Sequence, residues 1–287
     1  MLIKKERFHF AQEEEGQLMV DVTDRVNNRP IDGASVSISY VGDPQDTLEQ
    51  LTTDSNGMTE EIDLAAPPRS YSEYPLSDVQ PYSEYNLIIT APGYEPTTIS
   101  GSEIFSGELS IQPVRLNPVL PNASASVINI PANTLWGVFP PKIPEDEIKP
   151  VRSSGEIVLS RVVIPEYVVV HDGVPSDSSA TDYYVRYADY IKNVASSEIY
   201  STWPEATLRA NITAIMSFTL NRVYTEWYRN KGYDFTITTS TAYDHKWVYG
   251  RNIFDSISRI VDEIFASYVS RPNVKQPILT QYCDGKR

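Results

Sequence analysis

The sequence predicts a multidomain protein with an all-β N-terminal sandwich and an α+β C-terminal domain. Up to residue 117, short runs alternate apolar and polar residues and are separated by turn signals. After residue 156, apolar residues recur at helical spacing between short strand-like runs. The stretch between them is rich in proline, which blocks regular helix and central strand. We expect a sandwich over 1–117, an extended linker over 118–155 and an α+β domain over 156–287.

Four runs carry the prediction for the N-terminal part. They are QLMVDVTD, ASVSISYV, YNLIITA and LSIQPVRL, separated by the turn signals NNRPIDG, TDSNG and APGY. Short alternating strands joined by such turns favour a small antiparallel sandwich. The segment APPRSYSEYPLSDVQPYSEY is polar and Pro-rich, so we expect an exposed loop whose tyrosines could contact a protein partner.

The C-terminal part predicts three helices and several short strands. The helices are expected at about 186–199, 203–229 and 252–269. Thr202 and Glu205 fit a capping box at the start of the second helix. The run EIVLSRVVIPEYVVVHDG is expected to form one or two strands, and YDFTITTSTAYDHKWVYG a strand and a loop. PILTQYC is expected to be a closing strand.

Charge and composition exclude several classes of function. The net charge is −14, from 38 acidic and 24 basic residues, so we expect no nucleic-acid partner. The single cysteine, Cys283, allows neither an intramolecular disulfide nor a thiolate cluster. No apolar run is long enough for a membrane span, and the N-terminus lacks a signal peptide. The strand-like run before Arg287 suggests a longer parent protein.

One acidic residue lies on the apolar side of the first predicted helix. Tyr187, Ile191, Val194 and Ala195 form one stripe, and Glu198 returns to within roughly 20° of Tyr187. Glu is seldom buried unless it is paired or functional. Burial there would raise its pKa and keep a proton available near neutral pH. The alternative is a solvated Glu near a helix end, which is common.

Other candidate sites are weaker. His171 and Asp172 follow a strand close to several serines, but no strained turn presents a serine nucleophile. Cys283 has no evident oriented histidine, so the simpler interpretations are a small buried side chain or one half of a pair with a cysteine further downstream.

Two resemblances follow from these residues. The runs PIDGASVSI, TTDSNGM, YNLIITAPGYEP and VRLNP resemble the carboxypeptidase-regulatory-like, or prealbumin-like, β-sandwich. The stretch YIKNVASSEIYSTWPEATLRANITAIMSFTL resembles the signature of the stage II sporulation protein D family, whose members cleave peptidoglycan glycan strands as lytic transglycosylases. The later runs YDFTITTSTAYDHKWVYG and ISRIVDEIFASYV are similar to the segments that follow it.

The second resemblance implies a site. Glu198 takes the place of the single glutamate that serves as acid and then base. Tyr200, Trp203 and Asn211 would line the sugar site, and Asp244 and His245 would border it. The Cys-and-His metal arrangement of some members is absent, so we expect no metal and no cofactor. Met216, Asn211 and Tyr200 depart from the family pattern, and its terminal Gly-Met-Ser-Gln-Trp-Gly motif is missing.

The expected partner is therefore the peptidoglycan glycan strand, and the expected location is the cell wall, the spore envelope or a phage particle. The alternative is a non-catalytic peptidoglycan-binding or structural protein of a spore coat or phage-tail-like assembly. A third possibility is an adhesin that acts through the sandwich and its tyrosine-rich loop.

Overall fold

The computed structural model describes residues 14–74, 79–120, 125–133, 135, 140–146, 159 and 161–281. The chain divides into two compact units. The first consists of residues 1–134, 200–203 and 249–256, and the second of residues 135–199, 204–248 and 257–287. The structure is mainly β with few helices, which confirms the β-rich character of the predicted fold class.

The first unit is a β-sandwich. Its elements are β1 (Glu14–Asp24), β2 (Ser35–Tyr40), β3 (Asp43–Thr52), β4 (Ile62–Ala66), the short helix α1 (Ser70–Glu73), β5 (Ser83–Thr90), β6 (Thr97–Ile104), β7 (Leu109–Leu116), β8 (Ser126–Asn129) and β12 (Ile253–Phe254). One sheet has the order β12-β7-β1-β4 and the other β3-β2-β5-β6-β8. β1 pairs in parallel with β7, and β6 pairs in parallel with β8.

Alternation of side chains builds the core of this unit. Leu18, Val20 and Val22 on β1 are buried, as are Leu87 and Ile89 on β5, because residues two apart share one face of a strand. The turn in TDSNG forms as expected, with the Gly57 amide donating to the Asp54 carbonyl oxygen at 2.9 Å. Gly57 has φ +78°, and a Cβ there would lie 2.5 Å from the Val22 carbonyl oxygen, so only glycine fits.

Two late segments complete the sandwich. β12 pairs antiparallel with β7. Arg251, one residue before Asn252, forms an ion pair at 2.6 Å with Glu103, and both side chains are fully buried. The side-chain amide of Asn252 also contacts Glu103, because its Nδ2 donates a hydrogen bond to the Glu103 carbonyl oxygen at 2.9 Å. The first unit therefore depends on residues that lie more than a hundred positions further along the chain.

The second unit combines a small sheet with three helices. Its elements are β9 (Tyr167–His171), β10 (Asp182–Arg186), α2 (Tyr187–Glu198), α3 (Glu205–Tyr224), a 3-10 turn (Arg229–Lys231), β11 (Ile237–Thr238) and α4 (Asp255–Ile264). The first two residues of α4 belong to the first unit. The sheet order is β10-β9-β11, with β9 and β10 antiparallel and β9 and β11 parallel. Tyr187, Ile191, Val194 and Ala195 are buried, which confirms the predicted stripe on α2.

Several sequence predictions differ from the structure. The capping box is wrong: Pro204 precedes α3 without a side-chain cap, and the Thr202 hydroxyl donates to Ser72 Oγ at 2.7 Å instead. The run PILTQYC forms no strand over its described residues, where Pro277 makes an isolated bridge with Ser270. β8 lies within the stretch read as a linker, because Ser-Val-Ile-Asn pairs with the edge of β6. Cys283 lies outside the described residues.

Candidate functional site

Glu198 is the last residue of α2, and its carboxyl group is buried in the second unit. Oε1 accepts a hydrogen bond from the Lys246 backbone amide at 2.7 Å. Oε2 is shielded from solvent and has no hydrogen-bond partner among the described residues. The residue as a whole is only half-buried, so the shielding concerns the carboxyl end of the side chain. One oxygen is thus fixed by the backbone, and the other is available to carry a proton.

The environment of Glu198 favours the protonated form. Burial raises the pKa of its carboxyl group to about 7, while the Lys246 amide and the ammonium groups of Lys142 and Lys246 lower it. A carboxyl group that titrates near 7 is half protonated at neutral pH, which suits a general acid that must later act as a base.

Lys142 is the cation that the sequence reading missed. Its Nζ donates to the Asp244 carbonyl oxygen at 2.7 Å. Burial lowers the pKa of Lys142, and the carboxylates of Glu198 and Asp244 oppose that effect. Lys142 lies in a proline-flanked segment, and nothing in its local sequence places it beside Glu198.

Asp244 is a fully buried structural acceptor. Its Oδ1 accepts from Arg222 Nε at 2.6 Å, and its Oδ2 accepts from the Tyr228 hydroxyl at 2.6 Å. The Thr238 amide and hydroxyl also donate to Oδ2, at 2.9 and 2.7 Å. These bonds fix the chain just before Lys246, whose amide holds Glu198. Asp244 thus contributes to positioning Glu198, and its lack of exposed surface favours this role over direct sugar contact.

Arg222 links Asp244 to a second carboxylate. Its guanidinium group donates to both oxygens of Glu145, at 2.6 and 2.8 Å, and to the Tyr243 carbonyl oxygen at 2.9 Å. Arg222 is 1% exposed, and an arginine within a buried helix is rare unless it is paired. The partners of Arg222 lie far from it along the chain, so the sequence alone gives no signal for this network.

His245 is buried beside the same segment. Its Nδ1 lies 3.5 Å from the Tyr190 hydroxyl, and its ring packs 4.4 Å from that of Phe218. Burial lowers the pKa of His245 well below its ordinary value, so the ring is neutral at physiological pH. A neutral, enclosed imidazole favours a packing role.

The other predicted sugar-site residues are distributed between the two units. Tyr200 and Trp203 belong to the first unit, where the Tyr200 ring packs 5.3 Å from that of Phe105 and Trp203 Nε1 donates to the Ser72 carbonyl oxygen at 2.9 Å. Asn211 belongs to the second unit and donates to the Thr207 carbonyl oxygen, one turn back on α3, at 2.9 Å. The second unit thus brings together Glu198, Asp244 and His245 around Lys246.

Within the described part of the chain, no three His, Cys, Asp or Glu side chains converge as metal ligands would. The helices in those same ranges are all too short or too polar to cross a membrane.

Comparisons with known proteins give only weak similarities. No protein-family model matches the chain, and no curated protein matches it. The TIE protein of Bacillus anthracis is 16% identical, with a TM-score of 0.25 over 37% of this chain, which spans only 17% of that protein. The 5-hydroxyisourate hydrolase of Klebsiella pneumoniae is 20% identical, with a TM-score of 0.24 over 36% of this chain and 92% of that one.

The minor pilin GBS52 of Streptococcus agalactiae is 16% identical, with a TM-score of 0.26, over 42% of this chain and 48% of that one. At TM-scores this low, none of these similarities bears on what the chain does. The resemblance to the stage II sporulation protein D family remains a prediction from the sequence.

Proposed function

We propose that the chain acts on peptidoglycan and cleaves its glycan strands as a lytic transglycosylase, with Glu198 as general acid and then general base. The observation that supports the proposal is the burial of the Glu198 carboxyl group, which is held at one oxygen and whose pKa burial raises to about 7. The sequence resemblance supplies the substrate class. The proposed places of action are the cell wall, the spore envelope or a phage particle.

The proposed reaction needs a single carboxyl group. Protonated Oε2 of Glu198 donates its proton to the glycosidic oxygen while the bond from that oxygen to the anomeric carbon breaks. The carboxylate then accepts the proton of the sugar's own hydroxyl group, whose oxygen bonds to the anomeric carbon and closes an anhydro ring. Glu198 ends protonated, and no water is consumed.

Neighbouring groups support both halves of this cycle. The Lys246 amide keeps Oε1 in place, so that Oε2 is the oxygen that exchanges the proton. The ammonium group of Lys142 attracts the Glu198 carboxylate and therefore stabilises it after the proton has left. The neutral His245 does not compete for that proton at physiological pH, because burial lowers its pKa.

A second function is supported by one observation. Oε2 of Glu198 is shielded from solvent, so a glycosidic oxygen reaches it only if surrounding side chains move. A chain in which they do not move would bind peptidoglycan without cleaving it, or serve as a structural part of a spore coat or phage-tail-like assembly. The N-terminal sandwich would then provide the surface for a protein partner.

Digestion of purified sacculi tests the two functions. The wild type, Glu198→Gln and Glu205→Gln are incubated with sacculi, and anhydro-muropeptides are measured by mass spectrometry. Glu205 is a matched control because it is an exposed glutamate at the start of α3. We expect release by the wild type and Glu205→Gln only. Sedimentation with sacculi and no release by any variant would support the binding function, and equal release by Glu198→Gln would exclude Glu198 as the acid.

A further inference from the structure

A short segment of the second unit, residues 140–146, runs beside the loop that holds Glu198 and is here called the strap. These residues form neither helix nor strand. Pro140, Pro141 and Pro144 have no backbone N–H, so they cannot donate to the neighbouring chain, and their rings make the segment stiff. The strap therefore depends on its other groups for attachment to the unit.

Charged hydrogen bonds attach the strap. Both carboxylate oxygens of Glu145 accept from Arg222, at 2.6 and 2.8 Å, and the Glu145 side chain is only 7% exposed. Lys142 Nζ donates to the Asp244 carbonyl oxygen at 2.7 Å. Bonds of this kind are strong, but each depends on a few atoms in one geometry. The loss of one such contact is therefore expected to loosen the whole segment.

The apolar side chains of the strap contribute little to its attachment. Ile143 is 45% exposed, and Pro141 and Pro144 are exposed as well. Together with Trp227 and Tyr243, the strap lines an open cavity of about 730 Å³. Segments that bury little apolar surface and have space beside them open locally at a low cost in free energy. The strap has both properties.

The Lys142 side chain reaches the neighbourhood of Glu198. Lys142 is bonded to the carbonyl oxygen of Asp244, and the Lys246 amide donates to Glu198 Oε1 at 2.7 Å. Only His245 separates those two backbone groups, so Lys142 and Glu198 contact the same short stretch of chain. The second carboxyl oxygen of Glu198, Oε2, is shielded from solvent. The strap thus lies where a cover for this oxygen is needed.

We propose that the strap is a lid over Glu198, which opens to admit a substrate and closes to return Lys142 to the side of the carboxyl group. The structure is then the closed state, in which Glu145 fastens the lid to Arg222. The use of the lid in catalysis rests on the proposed function. The covering of Glu198 does not, because it concerns only access to a carboxyl group.

Coupling of glycine ethyl ester to carboxyl groups with a carbodiimide, followed by peptide mass spectrometry, measures access to Glu198 without any substrate. Glu145→Gln removes the charged partner of Arg222. It should raise the labelling rate of Glu198 about tenfold, because a charged hydrogen bond commonly shifts a local equilibrium by that factor or more. Glu205→Gln is the matched control, since Glu205 pairs with Arg209 on the surface, and it should leave the rate unchanged.

A reducible crosslink closes the lid again. The Ile143 amide donates to the Ala242 carbonyl oxygen at 2.8 Å, which brings the two Cα atoms to roughly the 5–6 Å that a disulfide spans. Ile143→Cys, Ala242→Cys and Cys283→Ser are added to Glu145→Gln, the last of the three to remove the native thiol. The oxidised protein should label Glu198 at the slow rate of the parent, and reduction should restore fast labelling.

The outcomes separate the lid from the proposed function. Equal labelling of Glu198 in Glu145→Gln and in the parent would overturn the lid. Fast labelling that the crosslink does not slow would also overturn it, because the variant would then have loosened elsewhere. If the wild type releases anhydro-muropeptides from sacculi, the same crosslink in an otherwise unchanged chain should block release until it is reduced, and unaffected release would contradict the lid. No release from any protein would count against the proposed function alone, since labelling still decides whether the strap covers Glu198.

Discussion

The burial of Glu198 predicts a specific dependence of stability on pH. A carboxyl group whose pKa rises from 4.5 to about 7 on folding binds more protons in the folded state than in the unfolded state between those values. Stability therefore falls as pH rises through this window, and the loss is complete above about pH 7. One pKa unit corresponds to about 1.4 kcal/mol. The pKa shift of Glu198 therefore lowers the free energy of unfolding by about 3 kcal/mol across this window.

Glu198→Gln removes this contribution while keeping the size of the side chain. The amide oxygen can still accept from the Lys246 amide, as Oε1 does in the wild type. The difference in unfolding free energy, variant minus wild type, should thus increase by about 3 kcal/mol from about pH 4.5 to about pH 8. Other titrating groups are common to both proteins and cancel in this difference.

Guanidinium denaturation across this pH range measures the effect, with Glu205→Gln as the exposed control. Any change with pH in the control should be below about 1 kcal/mol, because Glu205 takes part only in a surface ion pair with Arg209. A difference for Glu198→Gln that is equally flat would mean that its carboxyl group ionises as it does in water. Glu198 would then be ionised at neutral pH and could not act as the proposed general acid.

Three further predictions follow from the contacts around the two buried ion pairs and Lys142. Lys142→Met should raise the pKa of Glu198 above that of the wild type, because the ammonium group lowers it, and ¹³C titration of the Glu198 carboxyl carbon measures the midpoint. Asp244→Asn should destabilise the second unit by about 3 kcal/mol, since it weakens the buried pair with Arg222, as measured by denaturation. Arg251→Met should cost the first unit about 3–5 kcal/mol, because it leaves a buried carboxylate without its guanidinium partner.

Each of these has a contrary result. A lowered or unchanged Glu198 midpoint in Lys142→Met would show that Lys142 does not act on the carboxylate. Asp234→Asn is the exposed control for Asp244→Asn, and equal stability of the two variants would contradict the structural role of Asp244. An Arg251→Met variant as stable as the wild type would show that the buried ion pair contributes no more to stability than apolar packing at that position.

The sequence predicts strands well where one face of each strand is buried. β1, β2, β5 and β7 have clear period-two patterns and were found where expected. β3 was missed because its residues are almost all exposed and polar, so it has no apolar face to detect. It forms because its backbone pairs with β2.

Non-local pairing also explains the other missed elements. The two residues of β12 have no strand pattern of their own and pair with β7 from a distant part of the chain. The predicted capping box does not form because the Thr202 hydroxyl donates to Ser72 instead. Ser72 is distant in the sequence, so the local capping pattern could not indicate this hydrogen bond.

The same division holds for the candidate site. Helical spacing placed Glu198 on the apolar side of α2, because that placement depends only on neighbours along one helix. Lys246, Lys142 and Arg222 reach the site through loops and tertiary contacts, which one sequence does not reveal. The family resemblance predicts Asp244 at the border of the sugar site, whereas its buried hydrogen bonds come from tertiary contacts that the sequence does not reveal.

The interleaved first unit has a consequence for synthesis on the ribosome. β7 emerges long before Ile253 and Phe254, and until then one of its edges has no permanent neighbour. Glu103 likewise can form its buried ion pair only after Arg251 has been translated. The nascent sandwich therefore stays incomplete until residues 251–254 have been translated, long after β7.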